Sequence, residues 1–134
     1  MIAADTSVAV AAFASWHQSH AQARAALHDG AMLVAHCALE TYSVLTRLPI
    51  PHRAPRRLVH EFLEAQFPDP YLVLRAGAQR RITARLVELG IDGGAVYDAL
   101  VAFTASAAGA TLVSCDRRAG ATYERCGVQA RILG

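Results

Sequence analysis

Asp5 stands directly after the apolar run Met1–Ala4, and Asp116 directly after the run Thr111–Cys115. A buried strand tip has no use for an unpaired carboxylate, because burying a lone charge is expensive. Two further acids sit near helix starts: Glu40 in HCALETYSVLTRL and Asp98 in AVYDALVAFTASAAG. Each alone has an ordinary explanation. Asp5 and Asp116 are good N-cap residues, Asp98 favours the positive end of a helix dipole, and Glu40 has Arg47 as a candidate ion-pair partner. Brought together, the four repel one another strongly unless a cation sits among them. The set is all oxygen, with no imidazole or thiolate, which suits magnesium or manganese rather than zinc. Thr6 and Ser114 add hydroxyls beside Asp5 and Asp116, suited to orienting a carboxylate or a bound water.

Whether the four meet depends on the elements that carry them. Apolar runs of strand length recur at 1–4, 31–35, 71–74, 111–115 and 128–133. Between them lie Ala-, Leu-, Glu- and Arg-rich segments with helical spacing. AQARAALHDG and RRITARLVELG end on a glycine stop, and PRRLVHEFLEAQF opens with a proline suited to a first helical turn. Continuous apolar strands alternating with helices predict an α/β fold with a mostly parallel, five-stranded sheet covered on both faces. Only the last run alternates, with Val128, Ala130 and Ile132 opposite Gln129 and Arg131, which suits an edge. The proline-rich LPIPHRAP at 48–55 reads as a turn between helices. Ligands of such sheets bind outside the carboxyl ends of the strands. Asp5 and Asp116 lie there by strand, and Glu40 and Asp98 by helix amino end, since connecting helices run antiparallel to the strands. The acidic site is therefore expected at the strand carboxyl ends.

A chain of 134 residues is large enough for one continuous core, so 1–134 is read as a single domain. Although 54% of residues are hydrophobic, much of that is alanine, and no apolar stretch reaches the roughly 18 residues of a membrane span. The start has no basic region or cleavage site of a signal peptide, so a soluble, cytoplasmic protein is expected. Cys37, Cys115 and Cys126 form no CxxC pair and are read as buried thiols. All thirteen cations are arginine; eleven acids less the four leaves seven, a surplus of six positive charges on the rest of the domain. An acidic pit in a basic surround suits a phosphodiester substrate. Arg117 and Arg118, next to Asp116, are the expected RNA phosphate contacts, whereas Arg80, Arg81 and Arg85 read as a solvated face.

Other acid-centred folds fit less well. A haloacid-dehalogenase-type phosphatase wants a second aspartate at position 7, which is Ser7, and a response-regulator receiver wants a lysine, of which there is none. No P-loop and no GxGxxG is present. His17 and His20 have zinc-like spacing without further ligands, and Trp16 is read as a packing residue or partner contact.

DTSV at 5–8, ETYSVLTRLP at 40–49, YDALVAFTA at 97–105 and LVSCDRRA at 112–119 together resemble the PIN-domain ribonucleases, specifically the VapC-type toxins of bacterial toxin–antitoxin pairs. The resemblance spans nearly the whole chain, and its specificity lies in the combination. It implies a three-layer α/β/α PIN-like domain in which Asp5, Glu40, Asp98 and Asp116 are the catalytic, metal-binding acids. The family's fourth-strand motif reads Thr-x-Asp; Ser114 keeps the hydroxyl, and the fourth acid is the least uniform among relatives. The implied activity is magnesium-dependent endonucleolytic cleavage of RNA by an activated water, with manganese able to substitute. The implied partners are the RNA substrate and a cognate antitoxin, in a homodimer or a toxin–antitoxin hetero-oligomer, with no membrane. Apolar faces around Trp16, YSVLTRL and the LVHEFL helix are the candidate docking surfaces. The alternative is a non-catalytic PIN-like module that binds RNA or a protein; four retained, mutually repelling acids speak against it.

Overall fold

The computed structural model describes residues 1–134. Four short strands, β1 (Ile2–Ala4), β2 (Met32–Leu33), β3 (Thr111–Ser114) and β4 (Ala130–Ile132), form one sheet in the order β2-β1-β3-β4. Every pairing is parallel; Ala4 lies opposite Leu33 on one side and Val113 on the other, and Leu112 lies opposite Ala130. Eight helices cover the sheet: α1 (Thr6–Phe13), α2 (His20–Ala26), α3 (Ala35–Thr46), α4 (Arg56–Gln66), α5 (Ala76–Arg80), α6 (Ile82–Leu89), α7 (Ala95–Ala107) and α8 (Arg117–Arg125).

The fifth expected strand is not formed. YLVL at 71–74 makes one isolated parallel bridge, in which Leu72 N donates to Leu33 O and Ala35 N donates to Leu72 O, both at 2.9 Å. Pro70 precedes the run and α5 follows at Ala76, so few residues remain to pair, and Val73 faces solvent rather than a covering helix. The sheet is thus four-stranded and wholly parallel.

Its central strands are buried beyond their first residues: Ala3, Ala4, Leu112 and Val113 are all fully buried. Alanines on β1 let α1 approach closely through Val8, Ala9, Ala11 and Ala12, which are buried as well. α7 contributes a second apolar layer through Ala99, Val101, Ala102 and Phe103. β4 is an edge strand, as expected, but its faces do not alternate: Ala130 and Arg131 are both exposed. Gly90 adopts φ 66° and ends α6 in the left-handed conformation, the expected glycine stop.

The strand order positions the site. From β1 the chain steps to β2 on one side, and its later crossovers reach β3 and β4 on the other. Right-handed crossovers put α1 and α2 on one face and α7 and α8 on the opposite one. The reversal opens a crevice between the carboxyl ends of β1 and β3, where such sheets bind ligands. No helix is long and apolar enough to cross a membrane.

Candidate active site

Asp5 is the first residue after β1 and the N-cap of α1. Its Oδ1 accepts from Ser7 Oγ at 2.6 Å and from Val8 N at 3.2 Å, and its Oδ2 accepts from Tyr123 Oη at 2.8 Å. Only 4% of Asp5 is exposed. Burial pushes its carboxyl above the usual range, against the opposing pull of the hydrogen bonds it accepts. Ser7 Oγ also accepts from Cys115 N at 2.7 Å and lies 3.3 Å from Ser114 Oγ. Ser114 Oγ in turn accepts from Asp116 N at 3.0 Å. A chain of hydroxyls therefore ties the end of β1 to the end of β3.

Asp116 caps α8, with Oδ1 accepting from Arg118 N at 2.9 Å and Ala119 N at 3.4 Å. Asp98 stands in the first turn of α7, half-buried. Burial, then the charges of Asp116, Asp5 and Glu40, raise its carboxyl to about 6, while His36 acts in the opposite direction. Glu40 lies in the second turn of α3, its Oε2 3.5 Å from His36 Nε2. The alternative Glu40–Arg47 ion pair is not formed; Arg47 Nη1 donates instead to Ser43 Oγ, at 2.9 Å. The N-cap and dipole roles of these acids are real, but they do not exclude a shared site. All four carboxylates line one cleft at the β1–β3 crevice, with about 320 Å³ of free space partly open to solvent.

The donor chemistry of the cleft fits a hard cation in a particular way. No three of the His, Cys, Asp and Glu side chains form a ready-made ligand group. Asp5 is held by its hydrogen bonds and Asp116 Oδ1 by the α8 backbone, whereas Thr6 Oγ1 is buried in the cleft wall with no partner. Magnesium retains several waters and takes one or two carboxylates directly. A spaced ring of acids with a spare hydroxyl fits such a hydrated ion better than a stripped one.

A PIN-domain family model matches residues 2–124, a span that contains all four acids. This chain belongs to the PIN-domain family. It is 53% identical, over 133 residues and 99% of each chain, to Ribonuclease VapC40 of Mycobacterium tuberculosis strain H37Rv and to the same protein of strain CDC 1551 / Oshkosh. It is 41% identical over 128 residues to Ribonuclease VapC27 of strain H37Rv, covering 95% of this chain and 93% of that one.

Within this VapC-type PIN domain the expected supporting residues divide. Thr6 lines the cleft, whereas Ser114 is fully buried behind it and acts on Asp116 through the backbone. Arg117 and Arg118 are exposed in the first turn of α8 and do not line the cleft; Arg117 borders an open groove between α8 and β4. Arg85 is not simply solvated, since its guanidinium stacks 4.1 Å over the buried Phe103 ring. His17 Nδ1 accepts from Ser19 N and His20 Nδ1 bonds to Ala11 O, so one ring nitrogen of each is occupied by a local contact. Trp16 is half-exposed against His52 at 4.2 Å. On the candidate docking faces, Leu39, Tyr42 and Leu58 are exposed, while Leu45, Val59 and Leu63 belong to the core.

The PIN domain also recruits residues that sequence reading passed over. Ser7 had served only as the missing second aspartate, and it is the hub of the hydroxyl chain. Tyr123 lies seven positions after the α8 N-cap, two helical turns on, so it shares the face of Asp116; that spacing was a usable signal. Cys37 lines the cleft, and burial, reinforced by the Asp5 and Glu40 charges, pushes its thiol up to about 12. In the metal-free site it stays protonated near neutral pH, so it is no ready nucleophile. All three cysteines are free, with Cys115 only partly buried.

Proposed function

We propose that this PIN domain is a magnesium-dependent endoribonuclease, the toxin of a type II toxin–antitoxin pair acting on cellular RNA in the cytoplasm. One observation carries the reading: four carboxylates from four separate segments line a single cleft at the strand carboxyl ends. The name Ribonuclease, borne by relatives 53% and 41% identical, supports it. A divalent ion, magnesium or manganese, supplies an activated water and neutralises charge building on the phosphate.

The chain's own residues prepare the site for that ion. Asp98, Glu40 and Asp116 offer carboxylates that can turn inward; burial first, and then the neighbouring acids, raise the pKa of Asp98, and a cation would offset both. Asp5 is fixed by Ser7, Val8 and Tyr123, so it orients rather than searches. Thr6 Oγ1 is a free hydroxyl at the same wall. No side-chain nucleophile is required, and Cys37 stays neutral. Arg117 and Arg118, beside Asp116, engage flanking phosphates of the RNA. An antitoxin and a second copy of the chain are the partners expected at the exposed apolar positions of α3 and α4.

The test is incubation of total RNA with the purified chain in magnesium, in manganese and in EDTA, with Asp98→Ala as the control for contaminating nucleases. Discrete cleavage in either metal, lost in EDTA and in the variant, is the expected result. RNA binding without cleavage in any metal would overturn it in favour of a non-catalytic module. Growth arrest on expression, relieved by the product of an adjacent small reading frame, tests the toxin role.

A further inference from the structure

Tyr97 is the residue before Asp98 in the first turn of α7, and 57% of it is exposed. Its ring lies parallel to that of His36, with centroids 5.5 Å apart and planes 5° from coplanar. His36 comes from α3, one turn before Glu40, and its Nε2 faces the Glu40 carboxylate. Both rings border the acidic cleft. Two helices that are distant in sequence thus place a stacked aromatic pair between two of the four acids. His36 stacks against Tyr97, and more than half of Tyr97 is left to solvent.

We infer that Tyr97, backed by His36, is a stacking subsite for one nucleobase of the RNA, next to the phosphate that is cut. The inference rests on the ribonuclease reading and specifies how that site takes its substrate. The charge pattern selects the base over the rest of the nucleotide. A cleft of four carboxylates repels phosphates that no cation shields, whereas a base is neutral and flat. Every base has a π-face, so an aromatic platform holds it with little regard to sequence, and a base must leave its own stack to use the platform. His36 fixes the plane of the Tyr97 ring before RNA arrives, so less ordering is needed on binding. A buried packing role does not account for Tyr97, because more than half of it meets solvent.

The experiment uses the full chain and an oligoribonucleotide spanning one mapped cleavage site, intact or with an abasic nucleotide on either side of the cut bond. Tyr97→Ala is expected to raise KM about tenfold or more, the size of one base–aromatic stack, with little change in kcat. Tyr97→Phe keeps the ring and is expected to recover most of that loss. In wild type one abasic position carries the same penalty, and in Tyr97→Ala it adds almost nothing, because the two changes remove the same contact. Equal KM for wild type and Tyr97→Ala, or an undiminished abasic penalty in the variant, overturns the subsite while leaving the ribonuclease reading intact. For a chain that does not cleave, binding of the same oligonucleotides in magnesium, read by fluorescence anisotropy, carries the test. There Tyr97→Ala must again weaken the intact strand and not the abasic one. Unchanged RNA affinity together with lost self-association would assign the ring to a protein contact and overturn the inference. Matching melting temperatures of wild type and variants show that the fold is retained.

Discussion

The Tyr123 hydroxyl donates to Asp5 Oδ2 at 2.8 Å, joining positions 118 residues apart and locking α8 to the tip of β1. Burial, together with the nearby Asp5 charge, pushes the phenol far above its ordinary pKa, so it remains a donor at any working pH. Tyr123 is 1% exposed, and no water competes for the bond. Tyr123→Phe removes this donor and leaves a buried carboxylate oxygen short of a partner. The expected loss is about 2 kcal/mol of stability, the range for hydrogen bonds to charged groups. Urea unfolding in EDTA measures it, and a change under about 0.5 kcal/mol would show that Asp5 does not depend on Tyr123.

Ser7→Ala breaks two contacts at once, the donation to Asp5 and the acceptance from Cys115 N. It leaves a backbone N–H at the end of β3 without its partner, which costs about 1–3 kcal/mol where that group is shielded from water. Because the same hydroxyl orients Asp5, cleavage should fall by more than the stability loss explains. Activity measured well below the melting temperature of the variant separates the two effects.

Asp98→Asn should change sign with metal. A carboxyl raised to about 6 in the folded chain destabilises the metal-free protein as pH rises from about 4 through 6, and not below. The full shift overstates the effect for a half-exposed group, so about 1 kcal/mol is the expected gain of the variant in EDTA at pH 7. Near pH 4 both side chains are neutral and the gain vanishes. In excess magnesium the order reverses, because wild type gains binding energy that the variant lacks. Thermal melts at pH 4 and 7, in EDTA and in magnesium, read all four cases. A variant that melts below wild type in EDTA at pH 7 contradicts the crowding of acids.

Arg117→Ala combined with Arg118→Ala tests the phosphate contacts. Each lost phosphate contact should lower the slope of log affinity against log salt by roughly 0.7 for single-stranded RNA. Salt titrations of RNA binding give the slope directly, and an unchanged slope would remove both arginines from the interface.

The positions of the four acids were legible because each obeys a local rule. Asp5 and Asp116 follow apolar runs and cap helices, and Asp98 opens one, so strand and helix periodicity alone brought them to one edge. The glycine stop at Gly90 and the edge character of β4 were local in the same sense. What the chain kept hidden depends on partners far away in sequence. YLVL has the composition of a strand, but its neighbours Pro70 and Ala76 leave it one bridge to Val34. Glu40 faces His36, one turn before it on α3, while Arg47, at the end of that helix, bonds Ser43 instead. Sequence alone assigns Ser7 and Tyr123 no role in the site. They become the clamp on Asp5 because the crossover topology sets β1 beside β3 and packs α8 on β3 and β4, from where Tyr123 reaches Asp5, and no local pattern encodes which strands become neighbours.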